Sequence, residues 1–132
     1  MRLWHIDLVT NGLLPRSQLN AQWRELNSIF KKQDTHILIN YIYDYDKGYL
    51  LHYSNEVIAE MKWRGYKVNK WENYNNYFEG VEESNYNFPE HDDQYLRICF
   101  YNLQEKCMQG QQDFGFDTYD RLYDYCKKMG VI

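Results

Sequence analysis

The amino-acid sequence predicts an all-α protein, a compact bundle of three main helices and a C-terminal helix. Two observations support this fold class. Apolar residues recur at spacings of three and four positions in four separate segments, and a glycine directly follows three of those segments. The length of 132 residues suits one domain over residues 1–132, which can bury about two thirds of its unfolded surface.

The first main helix is predicted over residues 15–30, because Pro15 suits a first helical turn and the following apolar residues keep to one face. The core-facing residues are Leu19, Trp23, Leu26 and Phe30. A second stripe, Gln18, Gln22 and Glu25, lies roughly a quarter turn away at the border of the solvated surface. Glu25 can therefore be both accessible and partly desolvated. The alternative is that Glu25 and Arg24 are ordinary surface charges.

Three further helices are predicted over residues 48–64, 91–109 and 118–129. The glycines that end them are Gly65, Gly110 and Gly130. Asp117 is a candidate N-cap for the last helix. The apolar faces are Leu96, Cys99, Phe100, Leu103 and Cys107 in the third helix, and Tyr119, Leu122, Tyr123, Cys126 and Met129 in the last.

Two connecting segments carry weaker signals. Residues 35–45 are aromatic and β-branched, a composition whose propensity favours a strand. Residues 69–90 are rich in Asn, Tyr and Glu, which predicts a long irregular loop closed by Pro89. A loop of that length is either functional or mobile.

The net charge of −4, from 15 Lys and Arg against 19 Asp and Glu, argues against nucleic-acid binding, but the charges are unevenly distributed. Residues 1–32 contain five basic and two acidic residues, and residues 62–70 add four basic residues. Residues 72–93 contain seven acids and no base. The basic segments could share one surface, since local potential governs attraction to phosphate. The alternative is an acidic protein with scattered lysines.

Other classes of protein find no support. No apolar stretch approaches a membrane span and no signal peptide is evident, so a cytoplasmic protein without membrane contact is expected. The three cysteines are expected to be reduced thiols, mostly in the core, and with the four histidines they show no metal-ligand spacing, so no metal is inferred. Most aromatic residues, 18% of the chain, are expected in or at the edge of the core, although such rings can also hold an extruded base.

The amino terminus carries the most specific functional signal. An α-amino group has a pKa of about 7.7 to 8.0, against roughly 10.4 for the lysine side chain. Near neutral pH its unprotonated, nucleophilic fraction is therefore on the order of a few hundred times larger than that of lysine. Arg2, Arg24 and Glu25 lie close to this terminus in sequence. The combination suggests chemistry by the terminal amine.

Residues 1–8 open with MRLWH, and residues 18–26 contain Arg-Glu-Leu. Both segments resemble the pyrimidine-dimer DNA glycosylase family, also called endonuclease V-like, and MRLWH resembles the opening of a bacterial branch. The Arg-Glu-Leu and Arg-Gly-Tyr pieces are the most literal matches. Residues 55–66 resemble the family's second helix with its Arg-Gly-aromatic exit, and His91 with residues 101–106 resembles the third. The similarity spans roughly residues 1 to 109.

The resemblance implies a fold and a mechanism. The amino terminus should thread between the helices, and residues 35–45 should form a short helix or turn. In this family the first residue's amine attacks C1′ of the damaged nucleotide, forms a Schiff base and cleaves the strand by β-elimination with an indispensable glutamate. These roles fall on Met1 and Glu25, and Met1 should be retained because Arg2 is too large for usual methionine trimming. No cofactor is implied.

The resemblance also implies contacts with DNA. Arg2 and Arg24 match arginines that hold phosphate and sugar, and Gln18 replaces a substrate-binding histidine. Another family arginine aligns with Ser28, so two changes remove positive charge from the DNA face. Two further residues, Arg16 and His5, are candidate DNA contacts, although His5 can instead satisfy a local hydrogen bond.

The leading hypothesis is a DNA glycosylase with apurinic/apyrimidinic lyase activity, acting as a monomer on damaged double-stranded DNA with weak, salt-sensitive affinity. It requires the Met1 nitrogen within several ångströms of the Glu25 carboxylate in an open cleft. One alternative is a non-catalytic protein whose acidic residues 72–93 engage a basic partner. The other is a nucleic-acid binder without chemistry.

Overall fold

The computed structural model describes residues 1–110 and 113–132, and these contain six α-helices and one 3₁₀-helix but no strand. The α-helices are α1 (Ile6–Thr10), α2 (Arg16–Lys32), α3 (Lys47–Trp63), α4 (Trp71–Tyr77), α5 (Asp93–Met108) and α6 (Phe116–Lys128), and the 3₁₀-helix is Asn40–Asp44. The predicted all-α fold class is confirmed. The four predicted helices correspond to α2, α3, α5 and α6, with ends shifted by one or two residues.

Helix α2 is the central element, because it packs against both α3 and α4. Its four predicted core residues are all at most 7% exposed. Pro15 precedes the helix with extended backbone and gives no side-chain cap. The cap comes instead from Asp113, whose carboxylate accepts hydrogen bonds from the Ser17 backbone N–H at 2.5 Å and the Ser17 hydroxyl at 3.0 Å. An acidic group there also complements the helix dipole.

The amino-terminal segment lies between three helices, as the family resemblance implied. The Trp4 N–H donates to the side chain of Gln22 on α2 at 2.8 Å. The Tyr53 hydroxyl of α3 donates to the Trp4 carbonyl at 2.7 Å, and the Tyr95 hydroxyl of α5 donates to the Leu3 carbonyl at 2.5 Å. Since the Leu3 and Trp4 side chains are buried as well, the segment is part of the core.

The prediction of an irregular loop over residues 69–90 is wrong in its first part, where α4 forms. The Trp71 ring packs against Trp23 of α2 at 6.1 Å between centroids, and Tyr74 and Phe78 pack against Phe30. The spacing of three and four between Trp71, Tyr74 and Phe78 is a helical signal that the Asn-rich composition obscured. Aromatic packing on α2 therefore stabilises this short helix.

Two smaller expectations also need correction. Asp117 is not the N-cap of α6. The helix begins at Phe116, two residues before the predicted start, so Gly115 is the N-cap and Asp117 lies in the first turn. The strand favoured by the composition of residues 35–45 does not form. The 3₁₀-helix found there agrees with the family resemblance, and the burial of Ile39 and Ile42 at its start favours this compact conformation.

The predicted apolar faces of α5 and α6 are buried only in part. Cys99 and Cys126 are buried free thiols, as expected, and Cys107 is half-buried. Tyr123 on α6 remains 40% exposed, and Met129, the residue that follows the helix, remains 44% exposed. Among the helices of the described residues, none is both long enough and apolar enough to cross a membrane.

Gly48 marks a close approach between α3 and the backbone of residues 82–84. A Cβ at this position would lie 2.5 Å from the Glu82 carbonyl oxygen and 3.2 Å from the Ser84 nitrogen. Helix propensity alone would make Gly48→Ala stabilising by up to about 1 kcal/mol. We expect the opposite, a loss of about 1–3 kcal/mol in the free energy of unfolding by urea, because the segment must shift.

Gly115→Ser is the matched control, because a Cβ there meets nothing within 4 Å and serine is a good N-cap. Its free energy of unfolding should stay at or above the wild-type value. A Gly48→Ala protein as stable as the wild type would show that the close approach carries no cost.

Candidate functional site

The side-chain amide of Gln22 connects the amino-terminal segment to the candidate carboxylate. Its Oε1 accepts a hydrogen bond from the Trp4 N–H at 2.8 Å and also lies 2.8 Å from the Tyr53 hydroxyl, whose single proton it shares with the Trp4 carbonyl. Its Nε2 donates to the Arg2 carbonyl at 3.0 Å and to Glu25 Oε2 at 3.2 Å. Only this amide orientation gives each neighbour a complementary partner. The sequence placed Gln22 at the border of the core, but it is 1% exposed.

Glu25 is half-buried beside the chain terminus. Burial raises the pKa of the Glu25 carboxyl above its usual value, against the opposing effects of the amino-terminal charge, the Arg2 backbone N–H and Arg24. The amino-terminal charge is the strongest of these opposing influences. The charges of the Met1 terminus and Glu25 therefore interact, and the Met1 side chain packs partly buried against the core.

Arg2 is directed toward α5. Its guanidinium carbon lies 6.0 Å from the Trp4 ring centroid and 5.9 Å from that of Tyr95, within cation–π range. A hydrogen bond from Arg2 opposes the rise that burial imposes on the Tyr95 pKa. Arg2 is thus held by the rings beneath the amino-terminal segment.

His5 has a structural role in this geometry. It is 4% exposed, and its Nδ1 accepts a hydrogen bond from the Asp7 N–H at 3.1 Å, which caps α1. Burial lowers the pKa of His5, so the ring is neutral near pH 7. Of the two roles considered for His5, the local hydrogen bond is the one that the structure contains.

His91 supports the same segment, a role that the sequence did not reveal. Its Nδ1 accepts the Ile6 N–H at 3.0 Å, so the neutral ring carries its proton on Nε2 and donates it to the Tyr41 hydroxyl oxygen at 2.6 Å. Burial lowers the pKa of His91 to about 3. The only advance signal was the family resemblance at this position.

A groove with a volume of about 720 Å³ lies between α2 and the segment that links α3 to α4. We call it the basic groove, because its lining contains six cationic side chains and no carboxylate. The cations are Arg16, Arg24, Lys31, Lys32, Lys67 and Lys70. The basic segments on either side of α3 therefore share one surface despite the negative net charge, as the uneven charge distribution suggested.

Hydrogen bonds hold the wall of the basic groove in place. The Trp23 Nε1–H donates to the Asn69 carbonyl at 3.1 Å, and the Asn73 amide donates to Asn27 Oδ1 at 3.0 Å. Both bonds tie the segment that carries Lys67 and Lys70 to α2. These bonds therefore fix the positions of Lys67 and Lys70 relative to the cationic side chains of α2.

The other candidate residues lie along α2. The Arg16 guanidinium packs over the Tyr66 ring at 5.0 Å and lines the basic groove. Arg24 also lines the groove, and Glu25 lies about 100° further round the helix, so Arg24 stands at the boundary between the groove and the carboxylate. Gln18 is half-buried, roughly 10 Å from Glu25 along the helix axis.

Ser28, which aligns with a family arginine, donates a hydrogen bond to the Asp34 carboxylate. Neither Ser28 nor Gln18 carries a positive charge. Within residues 1–110 and 113–132, no group of three or more His, Cys, Asp or Glu side chains is placed to hold a metal ion.

Comparison with known proteins identifies the family. The model of the pyrimidine dimer DNA glycosylase family matches residues 1–72, more than half of the chain. The matched part includes the amino-terminal segment and helices α1 to α3. Neither the curated proteins nor the solved structures gave a match. The chain therefore belongs to the pyrimidine dimer DNA glycosylase family, a family of DNA-repair glycosylases.

Proposed function

We propose that this protein is a DNA glycosylase with apurinic/apyrimidinic lyase activity, in which the amine of Met1 is the nucleophile and Glu25 the catalytic carboxylate. The observation that carries the proposal is that the Gln22 Nε2 donates both to the Arg2 carbonyl, at 3.0 Å, and to the half-buried Glu25 carboxylate, at 3.2 Å, so the carboxylate lies close to the start of the chain. Gln22 is the positioning residue, since one amide holds both the Arg2 carbonyl and the Glu25 carboxylate.

In the first step the lone pair of the Met1 amine forms a bond to C1′ of the damaged nucleotide. The bond between C1′ and the base breaks, and the base leaves with its electron pair and takes up a proton. The ionised Glu25 stabilises the positive charge that develops on the sugar. The amine then loses a proton, and its lone pair forms the C1′–N double bond while the C1′–O4′ bond breaks. O4′ keeps the electron pair of that bond and takes up the proton, and C1′ becomes the carbon of a protonated imine.

In the second step a base removes a proton from C2′, and the electrons of that C–H bond form a double bond that expels the 3′ phosphate. We assign this proton to the Glu25 carboxylate. Water then hydrolyses the imine and releases the amine. This sequence uses the ionised carboxylate, so activity should fall at acidic pH as Glu25 becomes protonated.

The basic groove would bind the duplex. Six cations without an accompanying carboxylate offset phosphate charge locally, and Arg24 links the groove to the catalytic carboxylate. Because the overall charge is −4, binding should be weak and strongly weakened by salt. The proposed substrate class is damaged double-stranded DNA, with pyrimidine dimers as the lesion that the family name suggests.

Borohydride trapping on duplex DNA with one abasic site tests the chemistry. Reduction should give a covalent adduct that peptide mass spectrometry locates on the Met1 amine, in protein whose intact mass shows a free amino terminus. Acetylation of that amine should abolish the adduct. Glu25→Gln should lower the rate of strand cleavage about 10²-fold or more while leaving DNA binding intact.

Glu79→Gln is the control, because Glu79 is an exposed glutamate outside the site. It should trap and cleave like the wild type. An adduct on another residue, or one that survives acetylation, would overturn the assignment of Met1. DNA binding without any adduct would favour a binder without chemistry.

The raised pKa of Glu25 predicts a pH-dependent cost to stability. As the pH rises past about 4.3, an unfolded glutamate loses its proton before the folded one does. The ionised carboxylate therefore destabilises the folded state, increasingly through this window and fully above the folded-state pKa. Glu25→Gln removes that cost and can still accept the Gln22 hydrogen bond.

We therefore expect the Glu25→Gln protein to exceed the wild type in free energy of unfolding at about pH 8 and to match it at about pH 4. Urea unfolding at both pH values measures this, with Glu79→Gln as the control for loss of one negative charge. A difference independent of pH would contradict the role of ionisation.

The basic groove makes a quantitative prediction about salt. Replacing Lys67 and Lys70 by Gln should make the plot of log affinity for duplex DNA against log salt less steep by about 2, because each lost phosphate contact contributes about 0.9. Lys127→Gln with Lys128→Gln, at exposed positions near the end of α6, is the matched control and should leave the slope unchanged. If the two double variants show equal slopes, the basic groove does not contact the duplex.

A further inference from the structure

A second groove, with a volume of about 530 Å³, lies where the loop between α1 and α2, the end of α3 and the start of α6 meet. Arg16 and Tyr66 line both this second groove and the basic groove. The two grooves therefore adjoin at the Arg16–Tyr66 pair, where the guanidinium packs over the ring at 5.0 Å. A strand that leaves the basic groove at this pair reaches the second groove.

Trp63, the last residue of α3, lines the second groove and is 86% exposed. By contrast, Trp4 and Trp23 are at most 6% exposed and Trp71 is half-buried. A tryptophan normally buries most of its surface, so an exposed indole beside a groove is a candidate contact for a ligand. An indole face offers a platform on which any unpaired base can stack.

The charges of the second groove suit a phosphate backbone. Arg16, Arg64 and Arg121 line it against two carboxylates, which are already engaged within the protein. Glu60 pairs with Arg64 Nε at 3.1 Å, and Asp113 caps α2. Since a guanidinium has five N–H donors, Arg64 keeps its terminal nitrogens for phosphate oxygens.

Arg121 of α6 also lines the second groove and is held by a hydrogen bond. Its Nη2 donates to the Gly12 carbonyl at 3.3 Å, which leaves further N–H groups of the same guanidinium. The groove thus combines one stacking surface with two anchored guanidinium groups. A base pair inside a duplex exposes no face for such stacking, so the fitting ligand is single-stranded.

We propose that the second groove binds unpaired nucleotides of a DNA strand, with a base stacked on Trp63 and the adjoining phosphates at Arg64 and Arg121. This inference rests on the proposed binding of duplex DNA in the basic groove. The preferred ligand is then a junction, in which a strand leaves the duplex near the Arg16–Tyr66 pair and continues into the second groove.

Fluorescence anisotropy with two labelled probes at fixed salt tests the proposal. One probe is a blunt duplex, and the other is the same duplex with an unpaired oligothymidylate extension on either strand end. Wild-type protein should bind the extended probe about fivefold or more tightly than the blunt one, the lower end of the range for one stacking contact. Trp63→Ala should abolish this preference while its affinity for the blunt duplex stays at the wild-type value.

Tyr86→Ala is the matched control, because Tyr86 is a 70% exposed aromatic residue that lines neither groove. It should keep the full preference. Because Trp63 is so exposed, its replacement should not disturb folding, and thermal unfolding of both variants checks this.

Tryptophan fluorescence gives a second, direct readout. A short oligothymidylate alone should quench the emission of the wild-type protein, and the Trp63→Phe variant should lose that quenching. Arg121→Gln should make the salt dependence of oligothymidylate binding less steep by about 0.7.

The proposal is overturned if wild-type protein shows no preference for the extended probe, or if Trp63→Ala keeps that preference. Borohydride trapping on a blunt abasic duplex separates this failure from that of the proposed function. Trapping at Met1 without a Trp63-dependent preference would refute the second groove alone. A Trp63-dependent preference without trapping would refute the lyase chemistry and leave the second groove as a DNA site.

Discussion

One buried amide fixes the geometry on which the rest of the site depends. Gln22 makes four hydrogen bonds, two to the backbone of the amino-terminal segment, one to Tyr53 of α3 and one to Glu25. A buried polar group that loses its partner costs about 1–3 kcal/mol, so breaking any one of these bonds destabilises the arrangement. These bonds hold the first residues of the chain beside the Glu25 carboxylate, and the terminal amine does not need to make a hydrogen bond itself.

The same arrangement explains why the site combines rigidity with a destabilising group. Beneath the amino-terminal segment, His5 and His91 are neutral because burial lowers the pKa of each, and both accept backbone N–H groups. They are supports and do not carry charge near pH 7. Glu25 instead retains access to solvent with a raised pKa, so the protein accepts a cost in stability at the position proposed for chemistry.

Charge in this protein is organised by surface, and net charge is a poor guide to what it binds. The packing of α4 on α2 brings Lys67, Lys70 and Arg24 into the lining of the basic groove. The acidic residues of segment 72–93 are absent from that lining. Local potential therefore favours phosphate on one face of an acidic protein. At Arg16 and Tyr66 the basic groove adjoins the second groove, which is lined by the exposed indole of Trp63.

The sequence by itself determined the four longer helices and most of their buried faces, because a period of 3.6 residues and, in three of them, a glycine stop are local signals. It also pointed to Met1 and Glu25, through a family resemblance concentrated in the first helix. Only the tertiary structure decided which groups meet: the Gln22 hydrogen bonds, the capping of α2 by Asp113 across the chain, the burial of His5, and the helix at residues 71–77, where composition had predicted a loop. Periodicity shows which face of a helix is apolar, but hydrogen-bond partners and shared potentials depend on which faces pack together.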